Sequence, residues 1–189
     1  KNSVYQKLFE NIYSEEPNIE NISDAIASFE ESLETSDTEF DHWMMYKPNS
    51  MTEAAIRGRS LFMSKRAKCF DCHFSPDFTG DEFKNIGLYD KKKYKDKGRY
   101  EVTKNIDDIG KFKVPGLRNV AVTGPYMHDG SFKTIDEVID YYSNIYKFVE
   151  KPINLDTSLI QPIHFTVEEK TDLKEFLESL TDRSFLKKN

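Results

Sequence analysis

Cysteine is nearly absent. Only Cys69 and Cys72 occur in 189 residues, and two thiols three positions apart make no disulfide framework. Long apolar runs are missing too. Hydrophobic residues are 38% of the chain, and no stretch approaches the ~18 consecutive apolar residues that a spanning helix needs. No apolar leader follows Lys1-Asn2-Ser3, so the expectation is either a cytosolic chain or one whose leader has been removed. Excess positive charge is lacking: 27 Lys and Arg stand against 33 Asp and Glu, net -6, which argues against uniform nucleic-acid binding. Tryptophan occurs once, as Trp43, but 14 Phe and 10 Tyr supply core anchors that a disordered chain would not have.

The charge is unevenly spread. Residues 1–56 carry 12 acidic and 3 basic residues, residues 57–118 carry 9 and 16, and residues 119–189 carry 12 and 8. A basic zone therefore sits between acidic flanks. Several helices are legible. Ile22, Ala25, Ile26, Phe29 and Leu33 share one helical face, with Asn21 as a candidate cap. Thr52 opens a second helix over 52–66, in which Gly58 and Phe62 share a face. Thr134 and Glu137 form a capping box that opens a helix over 135–146, with Ile135, Val138, Ile139 and Tyr142 on one stripe. Thr166 and Glu169 open another over 167–180, striped by Leu173, Phe176, Leu177 and Leu180. Gly58 predicts a close helix–helix approach, with the C-terminal helix as partner. Between 74 and 124 the chain is irregular and punctuated by Gly and Pro, with no strand alternation. The fold class expected is mostly α, with long ordered loops, and loops of that length in a compact domain usually wrap something.

Both cysteines fall in Cys69-Phe70-Asp71-Cys72-His73. C-x-x-C-H is the spacing that attaches haem c, with His73 as the proximal iron ligand. A thioredoxin-like pair would need a βαβ context that is missing. A zinc site would need a fourth ligand from His42, His128 or His164.

Around this motif the chain resembles the C-terminal portion of the bacterial di-haem cytochrome c peroxidases, the family that includes MauG. The resemblance is carried by Arg57-Gly58-Arg59-Ser60-Leu61-Phe62, by Cys69 to His73, and by Phe83-Lys84-Asn85-Ile86-Gly87-Leu88. It continues through Asp96 to Arg99, Gly110 to Val120, and Thr123-Gly124-Pro125-Tyr126-Met127-His128-Asp129-Gly130-Ser131-Phe132. Residues 5–42 resemble the end of the family's first haem domain, through Ala25 to Glu30 and Phe40-Asp41. No second C-x-x-C-H is present, which departs from the family pattern and suggests part of a longer enzyme.

The resemblance implies a cytochrome-c-like helical domain over 51–189 around one covalent haem c. Residues 1–50 would then be a helical remnant of the first haem domain and a linker. It implies electron transfer to a peroxide-reducing haem in a missing N-terminal domain, with a small cytochrome c or cupredoxin as donor, a homodimer, and a periplasmic location without a membrane span. The alternatives are a MauG-like oxidase of a protein substrate or a stand-alone electron carrier. For the sixth iron ligand the family pattern offers Met in one branch and Tyr in the other. Here the candidates are Tyr142 and Met127, with His128 behind them. Helical periodicity puts Tyr142 on the buried stripe and Tyr141 ~100° off it. The resemblance also implies that Thr123 and Pro125 lend backbone carbonyls to calcium, which would be weakly held here. Arg118 and Arg99 are candidate propionate partners, and His128 with Asp129 is expected to fix the loop beside the haem. Lys91, Lys92, Lys93, Lys95 and Lys97 form a basic run read as a solvated loop. Trp43 is read as a packing anchor.

Overall fold

A glycine at position 58 decides how the two main helices cross. Helix α4 (Glu53–Phe62) and helix α7 (Val167–Glu178) make the most extensive contact between elements of the molecule. A Cβ at Gly58 would stand 1.8 Å from the Asp172 carbonyl oxygen and 2.9 Å from the Phe176 Cβ. Only a residue without a side chain lets the backbones approach this far. Arg57 then reaches across and grips the buried Asp172 carboxylate with two bonds, Nε to Oδ2 at 2.9 Å and Nη2 to Oδ1 at 2.7 Å. A planar guanidinium suits that fork.

The computed structural model describes residues 2–90 and 95–186. They form two compact units, Lys1–Ser36 and Asp37–Asn189. Lys91, Lys92 and Lys93 lie outside the described residues.

The first unit holds α1 (Ser3–Tyr13) and α2 (Ile19–Glu31). Asn18, not Asn21, caps α2. Asn21 sits at the third helical position and returns the bond, its side chain accepting from the Asn18 N–H. Either asparagine suits a cap by composition, and Pro17 just upstream sets where the helix begins. Tyr13 donates to Asp24 at 3.0 Å. No residue of α1 is buried, and only Asn21 is buried in α2. Val4, Leu8 and Ile12 of α1, and Ile19, Ile22, Ile26 and Phe29 of α2, are all exposed. Two short helices without a core are marginal by themselves.

The second unit contains α3 (Glu39–Met44), α4, α5 (Tyr100–Thr103), α6 (Ile135–Ser143), α7 and α8 (Arg183–Leu186), with several 3-10 turns. Helix α3, which the sequence reading grouped with residues 1–50, lies in this unit. One two-residue antiparallel ladder joins β1 (Phe83–Lys84) to β2 (Phe112–Lys113). It is too short to leave an alternating pattern. The capping boxes at Thr134–Glu137 and Thr166–Glu169 open α6 and α7 as expected.

The core is aromatic. Phe40, Phe62, Phe78 and Phe176 are all buried and meet edge to face, with centroids 5.1 to 6.1 Å apart. That is the arrangement the ring quadrupole favours. Ile135 and Ile139 bring α6 against the same cluster. A second cluster of Leu88, Phe132, Tyr141, Ile145 and Val149 lies on the other side of α6. The irregular loops are tied by side chains rather than by sheet. Buried Asn85 donates to the Ile109 and Ile153 carbonyls at 2.8 and 3.0 Å, and its own oxygen accepts from Gly87 at 2.8 Å.

Candidate functional site

Helix α4 ends at Phe62, and the chain enters a tight turn through Lys68, whose backbone is left-handed at φ 59°. Cys69–Asp71 form a single 3-10 turn, and the N–H groups of Cys72 and His73 both bond the Cys69 carbonyl. This winding brings the two thiols and the imidazole of one short segment into a common neighbourhood. Both cysteines are free and half-buried.

The thiols are held protonated. Burial, with smaller contributions from Cys72 and Asp71, pushes the Cys69 thiol up to about 12, and burial raises Cys72 as well. A reactive redox pair or a thiolate metal site shows the opposite direction. Two of the histidines that a zinc site would recruit are engaged elsewhere and the third is exposed. His42 Nε2 pairs with Asp37 at 2.8 Å, His128 stacks on Phe112 with centroids 3.8 Å apart, and His164 is exposed. Among the described residues no group of three or more His, Cys, Asp and Glu is arranged to hold a metal ion.

His73 is set up as a single-nitrogen ligand. Its Nδ1 lies 3.0 Å from the Phe78 carbonyl and 3.1 Å from the Pro115 carbonyl. Carbonyls only accept, so Nδ1 carries the proton and Nε2 keeps its lone pair. Burial lowers the imidazole pKa against the opposing pull of those carbonyls, so the ring is neutral near pH 7. An outer carbonyl that fixes tautomer and ring orientation is the usual support of a metal-bound histidine. The Phe78 carbonyl is aimed by a left-handed backbone at φ 52°, while its side chain anchors the aromatic core. No pattern in the sequence announces that double role.

Tyr142 is half-buried against the second cluster. Burial, reinforced by the nearby Cys69 and Cys72 thiols, pushes its phenol well above the ordinary tyrosine value. Among the described residues its hydroxyl has no hydrogen-bond partner. The helical stripe needs correcting here. Tyr141, placed off the buried face by periodicity, is 0% exposed and donates to the Ile86 carbonyl at 2.6 Å. Helix α6 is buried on two sides, which a single-stripe count does not anticipate. Met127 is half-buried against the same cluster in a left-handed turn at φ 68°.

Arg118 is held by groups of the protein itself. Its Nη1 and Nη2 fork onto Asp41 at 3.0 and 2.9 Å, and its Nε donates to the Pro76 carbonyl at 3.1 Å. Burial would raise the Asp41 carboxyl, but bonds from Arg118 and Thr38 outweigh it and hold the group below the usual range. Arg99 lies over the Phe83 ring at 4.1 Å and pairs with Asp108. Thr123 and Pro125 are exposed. Asp129 accepts from the Ser131 N–H at 3.1 Å and closes its own turn. Asp41, Asn85 and Tyr141 were not singled out from sequence. Their partners lie 77, 24 and 55 residues away, beyond any local pattern.

A family model described as di-haem cytochrome c peroxidase matches residues 1–49. The cytochrome c551 peroxidase of Nitrosomonas europaea is 36% identical over 146 residues, covering 75% of this chain and 42% of the relative. The methylamine utilization protein MauG of Methylorubrum extorquens is 35% identical over 180 residues, covering 93% and 49%. A crystal structure of a MauG-like protein associated with microbial copper homeostasis superposes with a TM-score of 0.77 at 33% identity, over 99% of this chain and 61% of that one.

The chain belongs to the di-haem cytochrome c peroxidase and MauG family.

Haem is therefore the family's cofactor, and the cytochrome-c-like helical fold is the family's fold. The chain spans about half the length of the curated relatives it matches. The donor set fits a haem: two neutral thiols at C-x-x-C-H spacing, one imidazole with Nε2 unprotonated, and one phenol without a partner. Among the described residues no helix is long and apolar enough to cross a membrane.

Proposed function

We propose that this chain is the electron-transfer haem c domain of a di-haem peroxidase, serving a peroxide-reducing haem in a domain that the sequence does not include. The observation that carries the proposal is the His73 imidazole. It sits one residue after Cys72 with Nδ1 committed to two carbonyls and Nε2 left to bind iron. When bound, the haem supplies a one-electron ferric/ferrous couple. Cys69 and Cys72 would hold it through thioether links at the C-x-x-C-H spacing, and His73 would bind the iron through Nε2, its ring fixed by the Phe78 and Pro115 carbonyls.

Tyr142 would be the second protein ligand to the iron in this reading, with Met127 as the rival. A partnerless phenol near both cysteines supports Tyr142. A bound phenolate favours ferric iron and a low potential. The same observation supports a second reading, a MauG-like oxidase of a protein substrate. The exposed apolar faces of α1 and α2 support a first haem domain that covers them. A small cytochrome or cupredoxin is the proposed donor, and the periplasm the proposed location, because covalent haem attachment takes place outside the cytoplasm. Thr123 and Pro125 are exposed, and their backbone carbonyls are of the type suited to calcium. Two carbonyls are only part of a coordination sphere, so calcium is expected to bind weakly.

The test is peroxide turnover by the haem-loaded chain. A relay haem with both axial positions filled gives no steady-state peroxidase activity and only slow reoxidation of the ferrous protein. Rapid turnover by this chain alone would contradict the assignment.

A further inference from the structure

We propose that Tyr141 is a positioning residue, whose anchored hydroxyl fixes the rotation of α6 and thereby the direction in which Tyr142 presents its phenol. This rests on the reading of Tyr142 as an iron ligand.

Helix α6 has nine residues, and its two ends are tied separately. Thr134 and Glu137 cap its start. The Ser143 carbonyl accepts from the N–H groups of Ile163 and His164, and the Ser143 hydroxyl accepts from Phe165. Ile135 and Ile139 seat one side on the phenylalanine core. Asp136 and Asp140 pair with Lys174 and Lys170 of α7, and on another side Tyr141 donates to the Ile86 carbonyl at 2.6 Å. That carbonyl is a firm anchor, because the flanking Asn85 is bonded to Ile109, Ile153 and Gly87. The Tyr141 ring is wedged between Phe132 and Phe148, each 5.4 Å away by centroid.

Tyr142 follows directly on the helix and meets the Tyr141 ring edge to face at 5.7 Å. Its own hydroxyl is unbonded among the described residues, so no polar contact of its own aims it. Its aim comes from the helix backbone, which the Tyr141 anchor helps to fix, and from the adjacent Tyr141 ring.

The test compares four haem-loaded proteins: unsubstituted, Tyr141→Phe, Tyr142→Phe and Ile139→Val. Tyr141→Phe keeps the wedged ring and removes the hydroxyl that bonds the Ile86 carbonyl. Ile139→Val loosens the opposite side of the same helix without touching it. The readouts are the ferric spectrum and the Kd of azide for ferric protein, since azide competes with the protein ligand even where the six-coordinate form dominates. Tyr142→Phe is expected to convert the ferric spectrum towards high spin. Tyr141→Phe is expected to tighten azide binding about fivefold, the factor given by one ordinary hydrogen bond, while Ile139→Val leaves the Kd unchanged. If Tyr142→Phe leaves the spectrum unchanged, the ligand reading and this inference both fall. If Tyr142→Phe converts the spectrum but Tyr141→Phe binds azide like the unsubstituted protein, or no more tightly than Ile139→Val, the positioning role alone is refuted.

Discussion

Gly58→Ala is the smallest change that should damage the scaffold under the haem site. The new Cβ would lie 1.8 Å from the Asp172 carbonyl oxygen, whereas ordinary contact begins above about 3 Å, so α4 and α7 must part by more than an ångström. Phe62 and Phe176, whose rings meet at 5.2 Å across this crossing, lose part of their contact. The Arg57 fork on the buried Asp172 carboxylate is stretched with them. Overpacking of this kind costs ~1–3 kcal/mol, and weakening a charge-assisted fork adds about 1–2 kcal/mol. Alanine's better helix propensity returns ~1 kcal/mol. The net loss is about 1–4 kcal/mol, or roughly 2–16 °C in Tm for a chain of this size. The assay is thermal unfolding followed by circular dichroism, with Ala54→Gly on the same helix as a propensity control. A Tm for Gly58→Ala equal to or above that of the unsubstituted protein would show that the helices do not approach this closely.

Three further outcomes follow from the geometry. Asp41→Asn should cost about 2–3 kcal/mol, because it removes the carboxylate that takes the fork of the half-buried Arg118 and leaves the more exposed Asp77 as its counter-charge; urea unfolding at pH 7 measures it. The Asp41 carboxyl is lower in the folded protein than its ordinary value of 3.8. Its contribution is therefore complete above that value and fades as pH falls through the folded pKa, so acid unfolding of Asp41→Asn should be shallower below about pH 4. Phe176→Ala removes the ring at the centre of the aromatic cluster, with an expected loss of ~3–5 kcal/mol in the same urea assay. Asn85→Ala should leave the Ile109 and Ile153 carbonyls unpaired, cost about 2–4 kcal/mol, and speed amide exchange in residues 106–110 and 152–156.

The parts legible in the sequence are those encoded locally. Cys69 to His73 carries its chemistry in five residues, and the two Thr-to-Glu capping boxes open α6 and α7 as their spacing predicts. Gly58 was readable as a close crossing because a glycine inside a helix has few other uses. The parts that were not legible depend on long-range partners or on crowding from several sides. Arg118 turned out to hold Asp41, 77 positions away. Tyr141 is fully buried and Tyr142 half-buried because α6 packs on two faces. The carbonyls that orient His73 come from Phe78 and Pro115, one of them turned inward by a left-handed backbone.

The most direct test of the central claim is the haem content of protein matured with a haem-attachment system, read as an alkaline pyridine haemochrome after acid–organic extraction. The account predicts one c-type haem per chain that resists extraction, and none retained when Cys69 and Cys72 are replaced by serine. A haem-free chain from that system, a haem that extracts freely, or retention in the double variant would contradict it.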